Sequence, residues 1–171
     1  MAVVPVSRAA PVAVVLVLLV LLVLVPQGVA GPVAAAVPDL AAPGAQEQRA
    51  RTVLARWDTR RGRAWERGDR LALGALYADR SRAGRRDLRM LDAWLDRGLR
   101  VRGMQVHVLA LDVLAARRHR LRLRVTDRLA DAVAVGSGVR RVLPEDRPTT
   151  RSLVLTRRDG AWVVESVRLA W

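Results

Sequence analysis

The sequence predicts an α+β domain in which three helices precede an antiparallel sheet and cover one of its faces. Three observations lead there. Apolar residues recur at three- and four-residue steps up to Gly98, the period then changes to two, and Gly- and Asp-containing turns punctuate the remainder.

The chain opens on residues 9–25, which carry no charged or polar side chain and would span about 25 Å as a helix. That length lies between a generous signal peptide and a short membrane span. Pro26 ends the run, and Gly28-Val29-Ala30 or Ala34-Ala35-Ala36 supply small residues for signal peptidase. The uncharged stretch nevertheless continues to residue 38, which favours a retained anchor over cleavage. Arg8 and the amino terminus precede the apolar run, and Asp39 is the first charge after it, so the amino terminus stays inside. The expectation is a cell-membrane protein with its C-terminal domain extracytoplasmic, or a secreted one if the leader is removed. Residues 1–26 form this leader, residues 27–46 an Ala/Pro/Gly linker, and residues 47–171 one domain.

Within the domain, Ala50, Val53, Leu54, Trp57, Ala64 and Trp65 share one face of a helix over residues 47–67, stopped by Gly68. Asp69 caps a short second helix that carries Leu71, Leu73, Leu76 and Tyr77. A third helix places Leu88, Leu91, Trp94 and Leu95 on one side and ends at Gly98. The first strand, residues 104–113, is apolar on both faces, and residues 115–119 reverse the chain. The next strand alternates Leu121, Leu123 and Val125 with Arg120, Arg122 and Arg124, so one face is buried and the other wet. Further strands are expected at residues 132–135, 139–143, 150–156 and 162–169, with turns at Gly136-Ser137-Gly138 and Asp159-Gly160.

The order of elements, with Gly68-Asp69 ahead of Leu73, Leu76 and Tyr77, and Asp159-Gly160-Ala161-Trp162-Val163-Val164 near the end, resembles the nuclear transport factor 2-like superfamily and its SnoaL-like group. The resemblance covers residues 47–171 and implies a cone, a curved antiparallel sheet packed on three helices around a pocket. It implies no single function, because the superfamily holds enzymes, ligand binders and non-catalytic interaction domains. Ketosteroid isomerases of this superfamily combine an Asp base with a Tyr and an acid that hold an oxyanion. Here the first helix has no Tyr, which puts that chemistry in doubt.

Composition narrows the chemistry. There is no Cys, so disulfides and thiolate chemistry are excluded. All thirty basic residues are Arg, and the net charge of +14 falls entirely on residues 47–171. Such a domain attracts anionic lipid, envelope polymer or nucleic acid. Its densest basic stretch is Arg117, Arg118, Arg120, Arg122 and Arg124, a stripe for a polyanion or simply a solvated face.

A pocket reaction would draw its acid or base from Tyr77, His107, Asp112 or Asp127. Tyr77 is expected to pack with its hydroxyl at the edge of the core. His107 and Asp112 have opposite strand parity and share a face only if a bulge intervenes. His107 and His119 are the only histidines, so no metal is expected, and no sequence feature calls for a cofactor. Gly136-Ser137-Gly138 lacks the flanking residues of a nucleophile elbow. Trp57, Trp65, Trp94 and Trp162 are expected in the core rather than stacked on bases.

The leading expectation is therefore a membrane-tethered, non-enzymatic accessory or interaction domain whose basic surface faces anionic lipid or envelope polymer. The alternative is a small-molecule binder or an isomerase, dehydratase or cyclase using the cone. A cytoplasmic nucleic-acid binder would require the inverted topology. A homodimer through the outer face of the sheet is also expected, from the two-sided apolar strand at residues 104–113.

Overall fold

A computed structural model describes residues 43–136 and 138–170. The apolar leader, and the linker as far as residue 42, lie outside the described residues. Among the described residues no helix is long and apolar enough to cross a membrane. The elements run α1 (Pro43–Arg67), α2 (Arg70–Gly74), α3 (Arg82–Leu95), β1 (Arg100–Arg102), β2 (Gln105–Arg117), β3 (Arg120–Ala130), β4 (Val133–Gly136), β5 (Val139–Val142), β6 (Thr149–Arg158) and β7 (Ala161–Leu169).

Helix α1 starts at Pro43, ahead of the expected Glu47. Proline is at home there, because its φ is preset for a helix and the first turn has no use for its missing N–H. Asp69 caps α2 by accepting from the Ala72 N–H at 2.9 Å, and Ser81 caps α3 by accepting from the Gly84 N–H at 3.3 Å. In α2 only part of the expected apolar set is buried. Leu73 is sealed, whereas Leu71 is 89% exposed, because residues two apart on a helix cannot share a face.

The expected single meander is two antiparallel sheets, ordered β1-β4-β5 and β2-β3-β6-β7. The division has a local cause. Gly103, between β1 and β2, and Asp131, between β3 and β4, both take positive φ, 66° and 58°. A Cβ on Gly103 would lie 2.9 Å from the Asp131 carbonyl oxygen, so the two bends sit against each other. The paired strands β2 and β3 therefore turn a corner together and continue as β1 and β4, curling the sheet around α1, which packs on β1, β2 and β7.

Strand β3 alternates as its sequence requires, with Leu121, Leu123 and Val125 buried between exposed Arg120, Arg122 and Arg124. Strand β2 does not keep one parity. Its pairing with β3 shifts between Val108 and Ala110 and again between Val113 and Ala115. Each bulge inserts one residue and turns the following side chains over. Val108 and, beyond the first bulge, Leu111 consequently share the concave side, while the extra residues Leu109 and Leu114 are exposed. The reversal into β3 is narrower than residues 115–119, since Arg117 already pairs with Arg120. The turn between β6 and β7 is Asp159-Gly160, both at positive φ.

Two apolar clusters form the core. One gathers Ala64, Trp65, Leu73, Leu91 and Trp94, and the other Leu54, Leu111, Leu121, Leu123, Leu155 and Val164. Trp57 and Tyr77 touch both, meeting edge to face at 5.5 Å and 88°. Tyr77 is pinned by its backbone as well. It bridges Val164 of β7, with Ala78 N–H donating to Val164 O at 3.0 Å and Val164 N–H donating to Leu76 O at 2.9 Å.

Candidate functional site

The concave side of the curled sheet is open, and between it and α1 lies a cavity of about 670 Å³. Leu54, Val108, Leu111, Leu129, Leu153 and Val167 supply apolar wall, and Trp57 and Tyr77 supply aromatic wall. The indole N–H of Trp57 donates to Leu76 O at 2.9 Å, which fixes the ring at the cavity wall.

Among the charged side chains along this cavity are Asp58 and Arg61 from α1, Asp87 from α3, Asp127 from β3 and Arg151 from β6. Asp87 is saturated. Its Oδ2 accepts from Arg61 Nε at 2.7 Å and from the Tyr77 hydroxyl at 2.7 Å, and its Oδ1 accepts from Arg61 Nη2 at 2.7 Å and Trp65 Nε1 at 3.2 Å. Burial alone would push this carboxyl up, but the Arg61 guanidinium and the Tyr77 and Trp65 donors override it and hold Asp87 below the ordinary carboxylate value. Burial would likewise lower Arg61, and Asp87 reverses that, so the guanidinium stays charged. The Tyr77 phenol is pushed up by burial and stays protonated.

Asp127 pairs with Arg151 through its Oδ1. Burial raises its carboxyl, and Arg151 and Arg61 offset this only in part. Asp58 differs from both. It accepts a single hydrogen bond, from Val106 N–H to Oδ2 at 3.3 Å, and forms no ion pair among the described residues. Burial raises its carboxyl, Arg61 and the Val106 N–H lower it less, and the neighbouring Asp127 and Asp87 carboxylates add to the rise.

An upward shift means that the native state holds its proton more tightly than the unfolded chain, so Asp58 costs stability as pH rises from about 4 through its native value. Replacing it should therefore stabilise the empty protein. The expected outcome for Asp58→Asn is a gain of about 1 kcal/mol at pH 7, a few degrees in melting temperature, that disappears near pH 4. Melting curves across that range check it, and a pH-independent difference would overturn it.

Of the candidates read from sequence, Tyr77 and Asp127 line this cavity, and His107 and Asp112 do not. The Tyr77 hydroxyl is not at the edge of the core but donates into the cavity cluster, because the bridge to Val164 swings the ring under α3. The first bulge in β2 does bring His107 and Asp112 to one face, but it is the outer one. There His107 Nε2 lies 3.4 Å from Asp131, and Asp112 lies 3.9 Å from Arg124. Arg120, Arg122 and Arg124 occupy that outer face, and Arg117 and Arg118 stand at the hairpin end. Arg120 is held by Glu165 at 2.8 Å.

Asp58, Arg61, Asp87 and Arg151 were absent from the candidates, though a signal for each exists in the sequence. Asp58 and Arg61 interrupt the apolar stripe of α1 at Leu54, Trp57 and Trp65. Asp87 stands at helical spacing from Leu91 and Trp94, and Arg151 shares strand parity with Leu153 and Leu155. A charge on an apolar face is a buried charge, and it needs a partner from elsewhere.

Helices closing a curled antiparallel sheet around a lined concavity define the nuclear transport factor 2-like cone, and that is the fold of this domain. The intermembrane-space region of the chloroplast protein ARC6 superposes with a TM-score of 0.52 at 13% identity, covering 72% of this chain and 95% of that one. A protein from Catenulispora acidiphila does so with a TM-score of 0.51 at 14% identity, covering 73% and 93%. A Streptomyces avermitilis protein provisionally assigned as a dehydratase of the NTF2-like family aligns over 71% of this chain and 95% of its own, at 16% identity and a TM-score of 0.44. At identities this low, the first two superpositions show the fold and nothing about activity. No protein-family model matches the sequence, and no curated protein matches it.

Proposed function

We propose that this domain is a small-molecule-binding protein, held outside the cytoplasmic membrane by its apolar leader, with the cone as its binding site. The observation that carries this reading is the open cavity of about 670 Å³, within the size range of ligand sites, lined by apolar and aromatic wall with a few convergent polar groups. A scaffold serving only as an interaction surface has no use for that void. Apolar side chains would fill it at a gain in packing.

Binding is better supported than covalent chemistry. The Tyr77 hydroxyl and Asp87 are committed to each other and to Arg61, and neither histidine lines the cavity. A second reading, proton transfer of the isomerase, dehydratase or cyclase type, is favoured by one observation, the uncommitted Asp58 carboxyl with its raised pKa. The outer face of the sheet, with Arg122 and Arg124 among its side chains, is offered to anionic lipid or envelope polymer. The same charge works against a homodimer through that face, since two copies would set arginines against arginines.

The test is a fragment screen by saturation-transfer NMR on the full chain in lipid nanodiscs. Binding is expected for apolar fragments with one polar group, and it should weaken in Val108→Trp, whose indole intrudes into the cavity from the sheet, provided that variant melts cooperatively. Fragment binding unaffected by Val108→Trp, or none at all, overturns the proposal.

A further inference from the structure

Four carboxylates line the cavity: Glu66 is exposed, with Arg102 at 3.9 Å, and Asp58, Asp87 and Asp127 lie deeper. Asp87 is matched by Arg61 and Asp127 by Arg151, which leaves Asp58 as the deep carboxylate with no ion pair of its own, reached only by the field of the Arg61 already bound to Asp87. Buried charges are normally paired, because an unpaired one keeps the cost of leaving water and recovers nothing. The other arginines along the cavity do not fill the gap. Arg63 is exposed at the mouth, Arg51 is engaged with Glu47 at 2.9 Å, and the half-buried Arg86 is engaged as well.

Accepting the cavity as a ligand site, the geometry points to an organic cation, a primary or secondary ammonium carried on an apolar body, as the class of ligand that completes it. The ammonium supplies the counter-ion that Asp58 lacks and donates to its Oδ1, which accepts no hydrogen bond among the described residues. Trp57 and Tyr77 line the same cavity with their polar ends tied back, and so offer it aromatic surface, to which a cation is attracted. The remaining wall, Leu54, Val108, Leu111 and Leu153, takes the hydrocarbon. A neutral alcohol could donate the same hydrogen bond but would leave the charge unanswered. A carboxylic acid would set a second negative charge against Asp58 and would be held, if at all, by the arginines of the mouth.

The sign of the salt dependence separates these cases. The protein carries +14 overall, so its long-range field repels a cation, and added salt should speed the cation's entry rather than weaken its binding. An anion gathered by surface arginines shows the opposite trend.

The experiment titrates phenethylamine, phenethyl alcohol and hydrocinnamate, which share one ring and differ in the head group, into the full chain in nanodiscs of neutral lipid, followed by calorimetry. The amine is expected to bind at least about tenfold more tightly than either of the others, with an affinity that does not fall between low and moderate salt. In Asp58→Asn the preference should vanish while alcohol binding persists. Equal binding of amine and alcohol, or a preference that survives Asp58→Asn, overturns the inference and leaves the cavity as a site for neutral ligands. Preferential binding of hydrocinnamate that weakens with salt also overturns it and moves recognition to the mouth. Failure of all three ligands, together with failure of the fragment screen, removes the binding function itself.

Discussion

Replacing Asp87 by Ala should destabilise the domain by about 3–5 kcal/mol, a large share of the 5–15 kcal/mol that holds a domain of this size together. The carboxylate answers four donors at once. Its loss leaves the Arg61 guanidinium inside with no counter-ion, and the Tyr77 hydroxyl and Trp65 indole without their acceptor. Urea unfolding at pH 7 measures the loss. Asp87→Asn keeps a carbonyl acceptor but no charge and should fall between the wild type and the Ala variant. The effect must also fade in acid. Because the native state lowers this group's pKa, its contribution is complete above the unfolded value of 3.8 and is lost as pH falls through the native one. A double replacement, Arg61→Met with Asp87→Leu, should recover most of the stability, since it removes both charges and not one. A loss below about 1 kcal/mol for Asp87→Ala would mean that water already serves the guanidinium.

Gly136→Ala should cost at least about 3 kcal/mol for a different reason. Gly136 ends β4 with φ at 128°, a conformation that L side chains rarely adopt, and an added Cβ would stand 2.2 Å from the carbonyl oxygen of Gly98. The atoms it would meet, on Gly98 and Leu99, are all backbone. Relief requires moving the backbone after α3 away from the sheet, at the point where helices and strands join. Gly138 provides the control. Its φ is 74°, but nothing lies within 4 Å of the Cβ position, so Gly138→Ala should lose only about 1 kcal/mol of left-handed strain. Equal losses at the two positions, measured by thermal melts, would show that φ alone governs both and that the contact with Gly98 does not matter.

These two sites mark where reading residues in order succeeds and where it stops. Asp69 and Gly98 are local signals, and the start of α2 and the end of α3 fall beside them. The alternation of β3 is carried by six successive residues, 120–125, and the buried and exposed faces match it. Strand β2 has no such pattern, being apolar on both faces, so nothing in it announces the bulges at Leu109 and Leu114. Those bulges decided that Leu111 lines the cavity and that Asp112 does not.

Order of elements, the shape of β3, the apolar leader, the absence of thiols and the +14 charge were set by the chain alone, because each is a composition or a period carried within a short window. The open concavity, the division into two sheets, and the meeting of Asp58, Arg61, Asp87, Asp127 and Arg151 were decided only by tertiary structure. These residues come from four elements, up to 93 positions apart between Asp58 and Arg151. Their convergence depends on strand register, two bulges and a paired bend at Gly103 and Asp131, which are long-range packing outcomes with no local period to betray them.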